Sequence, residues 1–100
     1  MVIREKTDAM TVAHRFVEAI NGDDSVLGVW VRDTMCGVEI VTVTEPLDGD
    51  AERWLFRIQG ELIREFPDAN VQLAVYNPSF FTGDPFELVP TDAQPVSLTT

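Results

Sequence analysis

The stretch Val26–Glu45, which reads VLGVWVRDTMCGVEIVTVTE, decides the fold of this 100-residue chain. It consists of two runs rich in β-branched residues, joined by the short segment 33–37. That segment contains a glycine and has the length of a hairpin connection, so the stretch predicts two paired strands. Everything else in the chain is expected to be arranged around this ribbon.

Both faces of the predicted ribbon carry apolar side chains. Side chains alternate along a strand, so Leu27, Val29 and Val31 are expected to share one face. The second run alternates in the same way, with Val38 and Ile40 on one face and Val41 and Val43 on the other. Apolar residues on both faces predict central strands that are covered, at least in part, on both sides.

A helix is predicted before the ribbon. Residues 7–21 carry apolar side chains at three- and four-residue spacing, which is the pattern of an amphipathic helix. Thr7 or Asp8 is the expected N-cap, and the Asn21-Gly22 pair is a typical C-terminal stop.

A second helix is predicted after the ribbon, over residues 51–66, with Asp48 or Asp50 as its N-cap. Phe66 ends it because the residue before a proline is disfavoured in the helical conformation. Gly60 lies inside this helix, and one explanation for a glycine there is close packing against the sheet.

A third strand is predicted over residues 70–77, which makes the second helix a crossover between two strands. The expected fold is a single α/β (α+β) domain over residues 1–100. Its core, 7–77, has the order α-β-β-α-β, with a small mixed sheet and two helices on one face.

The C-terminal arm, residues 78–100, has a different character from the core. It holds four of the six prolines, yet it is too apolar for a solvated tail. A short edge strand is predicted at 86–89, where proline is tolerated. The arm either covers its own domain or docks on a neighbouring subunit.

Charge and composition exclude several classes of partner. Seventeen acidic residues against seven basic ones give a net charge of −10, which disfavours direct binding to nucleic acid or to anionic lipid. The acidity indicates solubility, a saline environment or a basic partner. No apolar run is long enough to span a membrane and the N-terminus lacks a signal-peptide core, so a cytoplasmic location is expected.

Residues with catalytic chemistry are few. A Cys-His pair would need His14, on the polar face of a helix, and Cys36, in a turn; nothing in the sequence brings them together or supplies an orienting third group. The carboxylates of Asp33, Glu39 and Glu45 are weak candidates for a metal site, since no i, i+2 carboxylate pair stands on a strand. No catalytic residue, metal site or cofactor is therefore predicted.

The order α-β-β-α-β resembles the minimal nucleotidyltransferase fold over residues 7–77. That family carries a Gly-Ser pair after its first strand, where this chain has Val31-Arg32-Asp33-Thr34. It carries an Asp-x-Asp pair entering the second strand, where only Glu39 of Gly37-Val38-Glu39-Ile40 matches the later carboxylate. The resemblance implies a degenerate member that kept the scaffold and lost metal-dependent catalysis.

Three functions therefore stay open. The first is a non-enzymatic acidic domain that acts through protein association, as a homodimer or a regulatory partner, with Phe80, Phe81, Phe86 and Trp30 as the interface candidates. The second is a divergent nucleotidyltransferase-like protein that binds a divalent metal and a nucleotide. The third is an acidic partner that occupies a basic protein surface.

Overall fold

The predicted ribbon forms the centre of a four-stranded sheet that carries two helices on one face. A computed structural model describes residues 7–21, 23–80 and 82–98. The elements are α1 (Ala9–Ala19), β1 (Val26–Thr34), β2 (Gly37–Thr44), α2 (Gly49–Glu65), β3 (Gln72–Tyr76) and β4 (Gln94–Val96), with 3-10 turns at Pro78–Phe80 and Pro85–Leu88. The predicted mixed α/β fold and its α-β-β-α-β core are thus confirmed.

The strand order is β3-β2-β1-β4. β1 and β2 pair antiparallel as a hairpin, and β2 pairs parallel with β3 through the α2 crossover. β4 returns from the C-terminal arm and pairs antiparallel with the outer edge of β1. β1 and β2 are therefore the two central strands, and β3 and β4 are the edges.

The core lies between the sheet and the two helices. Both helices contribute apolar side chains to it at helical spacing, and β1 and β2 contribute every second residue. The fully buried large members are Phe16, Ile40, Leu55, Val12, Val29, Val31 and Val38. The alternation expected from the sequence therefore holds along β2 and along β1 beyond Gly28.

The opposite face of the sheet is covered by the C-terminal arm and by the side chain of Trp30 on β1. The Trp30 ring lies over Gly28, where a Cβ atom would stand 2.5 Å from a ring carbon. Phe86 packs edge-to-face on Trp30, with 5.9 Å between ring centroids. Val41 and Val43 are fully buried on this face. The arm therefore packs on its own domain, one of the two placements that the sequence left open.

One predicted orientation is wrong. Leu27 is 42% exposed and does not share the buried face of Val29 and Val31. The register shifts between Val26 and Gly28, so one extra residue bulges out of β1 at this point. A bulge reverses the alternation, and Val26 is buried in place of Leu27.

Other local predictions also need correction. The segment 86–89 is not an edge strand: Pro85–Leu88 forms a 3-10 turn, and the edge strand is Gln94–Val96.

The predicted N-caps have different outcomes. Asp48 caps α2 by accepting from the Ala51 N–H, whereas the side chain of Asp8, the N-cap residue of α1, makes no capping bond. A Cβ atom at Gly60 would meet no atom within 4 Å, so close packing does not explain this glycine.

Two buried hydroxyls have no partner among the described residues. Thr42 and Thr44 are fully buried on β2, and neither Oγ1 atom makes a hydrogen bond there. A buried hydroxyl without a partner is destabilising. Replacing Thr42 or Thr44 with valine is therefore expected to raise the free energy of unfolding by about 1 kcal/mol each. Urea denaturation measures this change.

Thr34 is the matched control for these two substitutions. Its hydroxyl donates to the Gly37 carbonyl at 2.8 Å and accepts from the Cys36 N–H at 3.1 Å. Thr34→Val is expected to lose about 1 kcal/mol because it breaks both bonds. A loss of stability in Thr42→Val and Thr44→Val as well would show that their hydroxyls are satisfied by buried water.

Within the described residues, α1 and α2 are both too short and too polar to cross a membrane.

Candidate functional site

The three candidate metal-binding carboxylates lie apart in the structure. Asp33 is opposite Val38 in the β1–β2 register, on the helix-covered side, whereas Glu39 is opposite Arg32 and points to the other side. Glu45 follows the far end of β2, six residues and roughly 20 Å beyond Glu39 at the usual strand rise. Over residues 7–21, 23–80 and 82–98, no three His, Cys, Asp or Glu side chains are placed to hold a metal ion.

Glu39 is engaged in an ion pair across the hairpin. The Arg32 Nε donates to the Glu39 Oε1 at 2.8 Å, and the Arg32 Nη1 donates to the Asp92 Oδ1 at 3.3 Å. The hydrogen bond to Glu39, together with the charges of Glu39 and Asp92, raises the pKa of the Arg32 guanidinium against a smaller opposing effect of burial. Arg32 therefore connects Asp92 of the C-terminal arm to Glu39 of the sheet, which is a structural role.

His14 and Cys36 lie on separate elements. His14 is exposed in the middle of α1, and Cys36 is exposed in the turn between β1 and β2. Among the hydrogen bonds of the described residues, none joins an acid to the side chain of His14 or Cys36, and nucleophilic catalysis by such a pair requires an orienting group. Both side chains are therefore exposed to solvent, on different elements.

The carboxyl ends of the parallel strands β2 and β3 meet at the start of α2, where α/β proteins often bind ligands. Here the place is filled by Asn77, which is 1% exposed. Its Oδ1 accepts from the Leu47 N–H at 2.9 Å and the Ser79 N–H at 3.1 Å. Its Nδ2 donates to the Leu47 carbonyl and to the Glu52 Oε2, both at 2.9 Å. The Asn77 amide thus links the end of β3 to the loop before α2 and to α2 itself.

Two shallow cavities are too small for a typical ligand. One, of about 220 Å³, lies between the C-terminal end of α1, the start of β1 and Leu98. The other, of about 240 Å³, lies beside Met10, Arg32 and Gln94. Ligand pockets usually measure about 300–1,000 Å³ and are mainly apolar, whereas these two have acidic rims.

The predicted interface aromatics have different environments. Phe80 is 63% exposed and Phe86 is 46% exposed, although Phe86 also packs on Trp30. Trp30 itself is half-buried beneath the arm. Phe81 lies outside the described residues. Of the three candidates that the structure describes, Phe80 and Phe86 present the most apolar surface to solvent.

A second exposed apolar surface was not predicted from the sequence. Phe56 and Ile63 on α2 are 40% and 45% exposed. The apolar face that the sequence predicts for this helix does not include Phe56, and Ile63 only widens it; its main members are Leu55, Ile58, Leu62 and Phe66. Their seven-residue separation, which is two helical turns, was the available signal.

Comparison with protein-family models, with curated proteins and with solved structures finds no match for this chain. The functional proposal is therefore built on the geometry of the described residues.

Proposed function

We propose that this protein is a non-catalytic domain that acts through protein association, and that its simplest active form is a homodimer. The observation that carries the proposal is the amount of large apolar surface that the fold leaves in solvent. Nine large apolar side chains among the described residues are at least 36% exposed: Leu27, Met35, Trp54, Phe56, Ile63, Phe80, Phe86, Leu88 and Leu98.

Apolar surface of this kind supports protein binding when it is contiguous. Phe80, Phe86 and Leu88 lie within one segment, and Phe56 and Ile63 lie within one helix. Aromatic residues are enriched where protein interfaces exclude water. A net charge of −10 argues against nucleic acid or anionic lipid as the partner.

Self-association and binding to a basic partner differ in the sign of their salt dependence. Two copies that each carry −10 repel one another, so added salt screens the repulsion and strengthens a homodimer. An acidic domain bound to a basic surface dissociates more readily as salt is added.

Sedimentation equilibrium tests the proposal. The purified chain is compared at about 0.01 M and about 1 M salt, where the Debye lengths are about 30 Å and 3 Å. We expect a monomer–dimer equilibrium whose dissociation constant is lower at the higher salt concentration. A monomer at both salt concentrations, at protein concentrations up to about 1 mM, would refute self-association.

A further inference from the structure

The outer edge of β3 is an unprotected sheet edge. β3 is the terminal strand of the sheet, and no described residue pairs with its outer side as a strand. Its sequence, Gln-Leu-Ala-Val-Tyr, contains no charged residue and no proline. Proteins normally protect such edges with charges, prolines or bulges, because open backbone groups pair readily with another chain.

The other edge of the sheet shows that protection. β4 has only three residues, and the central one is Pro95, which has no N–H group to donate. The contrast between the two edges selects β3 as the strand available for pairing.

One row of side chains on α2 runs along this open edge. Glu52, Phe56, Gln59 and Ile63 are spaced by four, three and four residues and so lie on one side of the helix. The two polar members contact the two ends of the strand: Glu52 accepts from Asn77, and Gln59 Nε2 donates to the Val71 carbonyl at 3.1 Å. Phe56 lies between these two contacts and therefore stands beside the open edge of β3, and Ile63 follows one helical turn beyond Gln59, at the end where the strand begins.

This surface also carries little of the chain's net negative charge. α2 carries four acidic and three basic residues, a net charge of −1, and residues 70–77 carry no charge. Almost all of the chain's −10 therefore lies elsewhere. A second copy therefore meets little electrostatic repulsion at this surface, and a basic partner would find little net negative charge to bind.

We propose that β3 pairs with β3 of a second copy, while Phe56 and Ile63 of the two copies pack against each other. This inference rests on the proposed self-association and states which surface forms the interface between the two copies. A two-fold axis perpendicular to the sheet makes the paired strands antiparallel and keeps both helical layers on one side. The dimer then contains one continuous sheet of eight strands, twice the four of a single chain.

Two double variants of equal charge test the surface. The first variant, Phe56→Glu with Ile63→Glu, places carboxylates on α2 beside the outer edge of β3. The second, Phe80→Glu with Leu88→Glu, places them on the C-terminal arm. All four positions are at least 40% exposed, so both variants are expected to fold, and circular dichroism checks this. The double variant on α2 is expected to raise the dimer dissociation constant by about 100-fold, roughly tenfold for each apolar side chain removed. The double variant on the arm is expected to leave the dissociation constant nearly unchanged.

Hydrogen exchange supplies a second measurement that needs no substitution. In the wild-type chain, the outward-facing amides of β3 are expected to exchange more slowly as protein concentration rises, because they become hydrogen-bonded in the dimer. The amides of β4 serve as the internal control and should not change.

The possible outcomes distinguish the pairing of β3 from the more general proposal of self-association. A wild-type dimer that dissociates only with the arm substitutions, or that survives both pairs, supports self-association but overturns the β3 surface. A dimer whose β3 amides show no concentration dependence overturns the strand pairing. A wild-type monomer overturns self-association itself and this inference with it.

Discussion

Replacing Asn77 with alanine is expected to lower the free energy of unfolding by about 3 kcal/mol, because several buried polar groups lose their partner at once. The side chain is 1% exposed and makes four hydrogen bonds. Three of them join the end of β3 to the loop before α2 and to α2 itself, and the fourth is accepted from the nearby Ser79 N–H. Alanine leaves the Leu47 N–H, the Leu47 carbonyl and Glu52 without this partner. Urea denaturation at low protein concentration measures the loss.

Asn21 is the matched control for Asn77. It is exposed at the end of α1, and Asn21→Ala is expected to change the free energy of unfolding by no more than about 0.5 kcal/mol. If Asn77→Ala also stayed within that range, the hydrogen bonds at the carboxyl ends of β2 and β3 would not stabilise the fold as argued here.

Substitution of Gly37 by alanine is expected to have a comparable effect, a loss of about 4 kcal/mol, for a steric reason. Gly37 begins β2 with φ +133°, a conformation that strains any residue with a Cβ atom. The new Cβ would lie 2.6 Å from the Ala69 carbonyl oxygen and closer still to that of Asn70. The Ala69 carbonyl cannot retreat without breaking its bond from the Val38 N–H, which is 2.9 Å long.

Two other glycines separate the causes of this loss. Gly83 has φ +111° but open space around its Cβ position, so Gly83→Ala is expected to lose only about 1–2 kcal/mol from backbone strain. Gly60 has neither constraint and lies inside α2, so Gly60→Ala is expected to gain about 1 kcal/mol. Similar losses for Gly37→Ala and Gly83→Ala in thermal unfolding would show that the contact with the 69–70 backbone contributes little.

The core of the fold could be predicted because its signals are local. The hairpin and both helices follow from the periodicity of continuous stretches, and these patterns place Val29, Ile40 and Leu55 correctly. β4 could not be predicted in this way. Its three residues include Pro95, and they become a strand only because β1, more than sixty residues earlier, offers a free edge. The bulge at Leu27 likewise depends on pairing and has no signature in the alternating pattern.

The candidate surface was harder to predict than the fold. The sequence indicates Phe80 and Phe86 because the chain has more aromatic residues than one small core can bury, and both do remain exposed. Phe56 and Ile63 look like ordinary members of an amphipathic helix. Their importance depends on which side of α2 faces the open edge of the sheet, and that follows from the strand order, which composition and spacing do not determine.

The position of the hairpin at the centre of the sheet has a consequence for the order of folding. β1 and β2 are joined by a two-residue turn, so they can pair rapidly with little loss of chain entropy. β4 must close a loop of more than fifty residues for three residues of pairing, so we expect it to join after the rate-limiting barrier. Destabilising substitutions in β4 should therefore accelerate unfolding and leave the refolding rate almost unchanged.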